Sequence, residues 1–573
     1  DCSNMCHESS GYALSKTQGI GKGSVVLSDI YEADLVIIMG QNPGTNHPRM
    51  LSALEKNKVN GGTIVAVNPL KEAGLLHYTN PQKPFRMLTG GLVLTDLYLQ
   101  VNINGDLALL KAILFKLQQR EEAGESIWDR SFIDEHTEGY DELKAEIQAT
   151  NLEACIKECG IDSDKIDELV DLIAKKEKII ICWAMGLTQQ VNGVATIQEI
   201  VNLLLLKGSL GKPGAGTCPV RGHSNVQGDR TMGIWEKMPD SFHEKLGSAF
   251  GFQSPTHHGY DTVESIKAMA EGKASFFFGM GGNFLSAAPD TDLTARALQQ
   301  CDMTVHVSTK PNRSHLIHGK EALILPCKGR TEIDEQNNTY QFTSVENSMG
   351  KVHSSKGVLP PISKNLKSEV EIVCDLGETY FGEDHIIEWT AYSKDYDLIR
   401  DKIEEVIPGF EQFNTKIRET SGFYLPNPAR DRRFLGKGIA KFTVNKLAIK
   451  SETKQRFKLM TLRSHDQYNT TIYGLNDRYR GISNGRKLIM MNMDDMIKLG
   501  LIDQQLVHVH SYHSGKKRSI FNFRVVPYDI PRRCLAAYFP EANPLVSIDH
   551  VAIDSNTPVS KNITVEIEKA TKM

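Results

Sequence analysis

The run Ala33-Asp34-Leu35-Val36-Ile37-Ile38-Met39-Gly40 is apolar without alternation over five consecutive positions. A strand built this way needs cover on both faces, the condition of an inner strand in a parallel sheet. A helical stretch follows from about Pro48 to Asn57, and Thr63-Ile64-Val65-Ala66-Val67 then supplies a second strand that ends at Asn68-Pro69. Strand, helix and strand make a βαβ unit, and ligands bind such units beyond the carboxyl ends of their strands. Lys178-Ile179-Ile180-Ile181-Cys182-Trp183 is another buried strand, with Ala184 to Gln189 as its exit loop. Two helices accompany these strands. Asp106 is expected to cap one that carries Leu107, Leu110, Ile113, Leu114 and Leu117 on a single face; the other runs from about Val194 to Lys207 and stops at Gly208.

The alternation resumes with strands at Ser275–Met280 and Met303–Ser308 and a helix around Leu293–Gln300 between them. A polar stretch from about Gly377 to Lys450 holds an amphipathic helix, Tyr396–Val406, that Pro408-Gly409 ends; it reads as a linker region. From about Phe457 short strands take over: Lys458–Leu462, Leu506–His510 and, after the turn Ser514-Gly515, Ser519–Val526. A small β-barrel is the natural reading. The expected class is α/β and multidomain, with doubly wound parallel-sheet domains and a C-terminal barrel. The expected division is an α/β domain at 1–222, a second at 223–395, a helical and polar linker at 396–450 and the barrel at 451–573.

With 66 basic against 70 acidic residues the net charge is -4, which gives no electrostatic reason to expect nucleic acid. No apolar run approaches the 18 or so residues of a membrane span; Leu203-Leu204-Leu205-Leu206 stops at Lys207. Ten cysteines in 573 residues are too few for a disulfide framework, so a reducing, cytoplasmic compartment is the expectation. The chain opens at Asp1 without a methionine and reads as a fragment lacking its natural N-terminus.

The chemistry lies in the loops. Gly211-Lys212-Pro213-Gly214-Ala215-Gly216 runs into Pro219-Val220-Arg221-Gly222-His223-Ser224-Asn225-Val226-Gln227-Gly228. Glycines let backbone approach a ligand, carboxamides both donate and accept, and arginine presents a planar fork to a small anion. Gly40 to Pro48, Gly279 to Asn283, Arg463 to Thr471 and Phe539 to Asn543 share this polar character. So many strand-end loops suggest one extended ligand. Cys6-His7 pairs a soft metal ligand with a base, although on those two residues alone it reads as an incidental thiol beside a surface histidine. Cys2 with Cys6 makes a poor cluster, and Cys155 and Cys159 read as ordinary buried thiols. Gly19-Ile20-Gly21-Lys22-Gly23 fails the phosphate-loop pattern, and Gly279-Met280-Gly281-Gly282-Asn283 does not spell a nicotinamide fingerprint.

Together Cys6-His7, the Gly40–Pro48 loop, Val67-Asn68-Pro69, Trp183–Gln189, Gly208–Gly228, Gly279–Asn283 and Phe539–Asn543 resemble the molybdopterin-dependent oxidoreductases, and within them the formate-dehydrogenase-like alpha subunits. The resemblance implies two molybdopterin guanine dinucleotides around one molybdenum or tungsten ion. It implies Cys6 as metal ligand, with His7 and Arg221 completing the catalytic set. Asn42, His47, Asn68, Met185, Gln189, Gly222, Asn225, Gln227, Gly228, Gly281, Arg463, His465, Gln467, Asn469 and Asn543 are then the implied cofactor contacts. A 4Fe–4S cluster is implied on an N-terminal segment that this chain does not include. Asn68 stands where formate dehydrogenases often carry an acid, and His223-Ser224 also departs from them.

The implied activity is two-electron oxidation of formate to CO2. Arg221 would hold the carboxylate, His7 would relay the proton, and electrons would pass to a partner protein. The alternatives are a related molybdenum reductase of another small oxyanion and a redox-silent cofactor-binding subunit used in stress protection.

Overall fold

The computed structural model describes residues 3–83, 90–223, 225–382, 385–448 and 456–570. Two compact units form, one from Asn4–Gly222 with Asn427–Met573 and the other built on His223–Pro426.

In the first unit the apolar runs become a five-stranded parallel sheet: β1 (Leu35–Met39), β2 (Thr63–Val67), β3 (Leu97–Leu99), β4 (Ile179–Trp183) and β5 (Gly216–Pro219). Their order is β3-β2-β1-β4-β5. Every residue of β1 and β4 is buried, as uninterrupted Val, Ile and Leu require. The chain winds one way from β1 to β3 and the other way from β4 to β5, so β1 and β4 flank a topological switch point.

Four helices cover this sheet: α1 (Glu8–Gln18), α2 (Pro48–Val59), α3 (Asp106–Glu122) and α4 (Gly193–Leu206). Leu203 to Leu206 of α4 join the core with Trp183, Leu109, Ile113 and Leu117. Each such side chain contributes about 1.5–3 kcal/mol by leaving water. Asp106 is not the cap of α3. Gly105 takes that position, and Asp106, the first helical residue, is buried. Cys155 and Cys159 are buried, as the pattern implies.

The second unit holds a smaller parallel sheet of β6 (Phe276–Met280), β7 (Met303–Ser308) and β8 (Glu321–Pro326), ordered β8-β7-β6. Helices α5 (Thr262–Ala270) and α6 (Thr291–Gln300) pack against each other. Further on come α7 (Glu369–Phe381) and α8 (Tyr396–Val406).

The stretch 396–450 is not a free linker. Phe410, Phe413 and Ile417 are buried in a cluster with Val352, which ties the segment up to Pro426 into this unit. From Asn427 the chain belongs to the first unit, where Phe434, Ala440 and Phe442 enter the main core. A polar average conceals these anchors, because they are spaced singly among polar residues.

The C-terminal strands β9 (Phe457–Leu462), β10 (Leu488–Met491), β11 (Leu506–His513), β12 (Lys516–Pro527), β13 (Cys534–Tyr538) and β14 (Ile563–Lys569) close into a barrel. The order is β9-β13-β10-β12-β11-β14, and β14 pairs back onto β9. Closure leaves this sheet no open edge. No helix among the described residues is long and apolar enough to cross a membrane.

Candidate active site

The loops leaving β1 and β4 meet backbone to backbone. Gly40 has φ +56, and its carbonyl accepts the Gly186 N–H at 3.0 Å. A Cβ on Gly40 would lie 2.8 Å from Gly186 Cα, so only glycine allows this approach. Around this contact lies a cleft enclosing about 800 Å3 of atom-free space, part of it open to solvent. Its wall takes Asn42, Asn68 and Glu72 from the β1 and β2 exits, Asp106 from α3, Met185 and Gln190 from the β4 exit, and Arg463, Arg480 and Lys561 from the barrel region. This is the position that a switch point gives to a ligand.

Cys6 and His7 sit at the start of α1 in the same unit. The Cys6 carbonyl accepts Thr188 Oγ1–H at 2.5 Å, and Gln189 Nε2 donates to the Met5 carbonyl at 2.6 Å. Gln189 Oε1 in turn accepts from Ser560 Oγ at 2.8 Å. The β4 exit loop therefore fixes the backbone that carries the thiol. Burial leaves the Cys6 thiol raised, against a smaller opposing effect of the positive charges of Arg463, Arg221 and Lys561. That cationic field favours a thiolate and any other anion brought beside it.

His7 is not a surface histidine; it is 2% exposed. Its Nδ1 lies 3.1 Å from Ser10 Oγ, which also accepts Trp183 Nε1–H at 2.9 Å. Burial, followed by the charges of Arg221 and His47, holds His7 well below the usual imidazole range, against a smaller opposing effect of the Val220 backbone. It is neutral at ordinary pH. Arg221, just past β5, is mostly buried, and its Nη2 donates to the Gly21 carbonyl at 2.9 Å. Gly222 rests on Met185, whose methyl would stand 3.2 Å from an added Cβ. His47 reaches the Arg221 backbone rather than the cleft, at 2.8 Å from its carbonyl.

The barrel residues divide. Arg463 lines the cleft, and burial lowers its pKa. His465 packs on Tyr479 with ring centroids 4.2 Å apart. Gln467 spends its carboxamide within the protein, donating to the Asn469 and Phe539 carbonyls at 2.6 Å each and accepting from Ser464 N–H at 3.0 Å. Asn543 is buried, with its N–H on the Pro540 carbonyl.

In the second unit Asn225 adopts φ 66, and its Oδ1 accepts the Glu346 N–H at 2.9 Å. Gln227, beside Gly228, is 2% exposed, and neither atom of its carboxamide has a hydrogen-bond partner among the described residues. Gly281 has φ +70, with open space where a side chain would stand. Cys2 and Ser224 lie outside the described residues.

The sequence patterns missed Asp106, Gln190, Glu72, Arg480 and Lys561. Burial pushes the Asp106 carboxyl up to about 7 and Lys561 down to about 7. Arg480 donates to Glu72 at 2.6 Å and to Asp477 at 2.7 Å. Their only sequence signal is a polar or charged side chain near an element end, which solvent-facing residues share.

The wall suits a large polar heterocycle. Gln41 Oε1, Gln190 Oε1 and Arg480 Nε are buried without partners among the described residues. Asp106 offers the acceptor edge that a 2-amino-4-oxopyrimidine, the ring common to pterin and guanine, requires. Fold and cleft thus place a polar groove at a switch point of the sheet, in the same unit as Cys6, which feels the charges of Arg463, Arg221 and Lys561.

The comparisons carry this further. The family model described as molybdopterin oxidoreductase matches residues 2–379, and that of the molydopterin dinucleotide binding domain matches residues 457–567. An uncharacterized oxidoreductase of Mycobacterium tuberculosis is 50% identical over 576 residues, covering 99% of this chain and 74% of the relative. Protein YdeP of Escherichia coli is 42% identical over 581 residues, 99% of this chain and 76% of that protein. Formate dehydrogenase H of Escherichia coli is 27% identical over 316 residues, 53% of this chain and 41% of that protein. Among solved structures, acetylene hydratase from Pelobacter acetylenicus superposes with a TM-score of 0.67 at 15% identity, over 99% of this chain and 81% of that chain, a likeness of fold alone. The chain belongs to the molybdopterin oxidoreductase family.

Proposed function

We propose that this chain is the catalytic part of a molybdenum- or tungsten-dependent oxidoreductase that uses bis-molybdopterin guanine dinucleotide and oxidises a small anion, formate first among them, to CO2, a proton and two electrons. The carrying observation is the polar cleft at the switch point, with Arg463 and Lys561 in its wall and their charges acting on the Cys6 thiol. When bound, the metal cofactor supplies the two-electron acceptor. Cys6 would hold the metal. Asp106, Gln190, Asn42 and Asn68 would hold one dinucleotide in the cleft.

Arg221 would take the carboxylate in two parallel charge-assisted hydrogen bonds, which fixes the direction of its C–H bond. His7 is neutral, so it is in the form that accepts a proton. Burial and Arg221 disfavour its imidazolium, so it passes the proton on rather than keeping it. Among the described residues no group of three or more His, Cys, Asp or Glu side chains could hold a metal ion, and the electron acceptor of this reading is a partner protein.

Metal and pterin analysis followed by a dye-coupled assay with formate tests this reading. Wild type should contain metal and reduce the dye. Cys6→Ala should abolish turnover with pterin retained, and Arg221→Lys should raise the formate KM strongly, since a point charge does not copy the fork. Full activity in Cys6→Ala would remove Cys6 from the metal. The three cations about Cys6 also suit reduction of an oxyanion; nitrate turnover without formate turnover selects that reading.

A further inference from the structure

Arg221 lies beyond the last ladder bond of β5. That bond is Val220 N–H to the Trp183 carbonyl at 2.8 Å; past it no strand pairing orients the chain. The contact that follows comes from 174 residues earlier: His47 Nε2 stands 2.8 Å from the Arg221 carbonyl. A carbonyl only accepts, so Nε2 carries the proton. On the other side of the ring Gln41 Nε2 donates to His47 Nδ1 at 3.3 Å. These two contacts select one neutral tautomer.

The histidine itself is immobilised. It ends the short helix Pro43–Asn46, with its N–H on the Pro43 carbonyl at 2.8 Å, and it immediately precedes Pro48 at the start of α2. The Arg221 carbonyl is held by His47, and its Nη2 donates to the Gly21 carbonyl.

Resting on the reading of Arg221 as the anion-binding cation, we propose that His47 is a positioning residue: it holds the Arg221 carbonyl and so aims the guanidinium at the substrate, instead of contacting the pterin cofactor. A hydrogen bond to a rigid backbone point sets direction, so its loss would let the guanidinium wander without unloading the cleft.

The test compares wild type, His47→Phe, His47→Gln and Gln41→Leu as cofactor-loaded protein. Amide hydrogen exchange is read over residues 220–222, and phenylglyoxal labelling of Arg221 is read by peptide mass spectrometry. His47→Phe should raise both by about tenfold, the effect of one lost hydrogen bond of ordinary strength. His47→Gln, which keeps a donor, should restore most of the protection. Gln41→Leu, which leaves the imidazole in place but frees its tautomer, should fall between, and it decides the matter should His47→Phe fail to fold. Metal and pterin content should stay at the wild-type level in both His47 variants. With formate and dye, KM should rise about tenfold in His47→Phe while kcat changes less than about threefold. Wild-type exchange and labelling in His47→Phe and Gln41→Leu, or loss of pterin from His47→Phe, would overturn the proposal. Absence of formate turnover in wild type would sink the substrate reading alone, because exchange and labelling decide the role of His47 without substrate.

Discussion

Arg480 Nη2 stands 2.6 Å from Glu72 Oε1, although 408 residues of chain separate them. Glu72 lies past the end of β2, and Arg480 lies between two strands of the barrel region. On its other side Arg480 meets Asp477 at 2.7 Å, and Tyr538 O–H donates to Asp477 at 2.9 Å. All four residues are buried. Burial alone would weaken the guanidinium, but Glu72 and Asp477 hold its pKa above the ordinary arginine value. The pair ties the sheet and the barrel together across the cleft that both line.

Arg480→Leu should therefore strand two buried carboxylates. Removing one partner of a buried ion pair costs about 3–5 kcal/mol, because the other charge stays uncompensated. Urea unfolding should show that loss. Arg480→Lys, which keeps the charge without the fork, should lose less. Equal stability of wild type and Arg480→Leu would show that the pair is not holding the interface.

Asp106 gives a pH dependence of known sign. Its folded pKa is raised by burial to about 7 from 3.8. Between those values the native state holds a proton that the unfolded state has lost. Stability should then fall as pH rises through this window, by up to about 1.4 kcal/mol per unit, and level off above it. In cofactor-free protein, urea midpoints from pH 4 to 8 should lack this component in Asp106→Asn, and the variant should be the more stable form at about pH 8.

Lys111 and Glu199 form a second buried pair, 3.5 Å apart between α3 and α4. Burial raises the Glu199 carboxyl, while Lys111, Asn202 and Asn445 oppose it. Lys111→Met should cost roughly 3–5 kcal/mol at neutral pH, and the loss should shrink on acidification, as Glu199 takes up a proton. Thermal melts at about pH 5 and 8 would read the difference; an equal loss at both would show that Glu199 is not the charge left behind.

Gly186→Ala should empty the cleft. The added Cβ would fall on Gly40 Cα and its carbonyl, where both partners are backbone and neither yields. Expected outcomes are loss of bound pterin and a drop in stability of at least about 1–3 kcal/mol from overpacking. Pterin content equal to wild type would show that the two exit loops separate without consequence.

Two inner strands were legible because they carry no polar residue to confuse the pattern: Leu35–Met39 and Ile179–Trp183 fit no surface element. The exit loops were legible because Asn42, Asn68 and Gln189 crowd hydrogen-bonding groups at strand ends. The reading stopped where a role depends on what is distant. Lys561, Glu72 and Arg480 look like ordinary surface charges until the barrel closes over them. Gln467 resembles a ligand contact, yet the Asn469 and Phe539 carbonyls take its amide. Asp106 followed the rule for a cap, but the cleft claims its carboxyl. The stretch 396–450 averaged polar because its anchors, Phe410 and Phe413 among them, are spaced singly in a mostly polar run.

The cleft wall draws on residues 40–72, 103–106, 184–190, 460–480 and 561. A ribosome delivers the last of these long after the first, so a nascent chain carrying only the early loops has half a grip. Loading of a bulky ligand therefore belongs after synthesis is complete, and a polypeptide cut short before Lys561 would emerge from the ribosome lacking one of the three cations that surround Cys6.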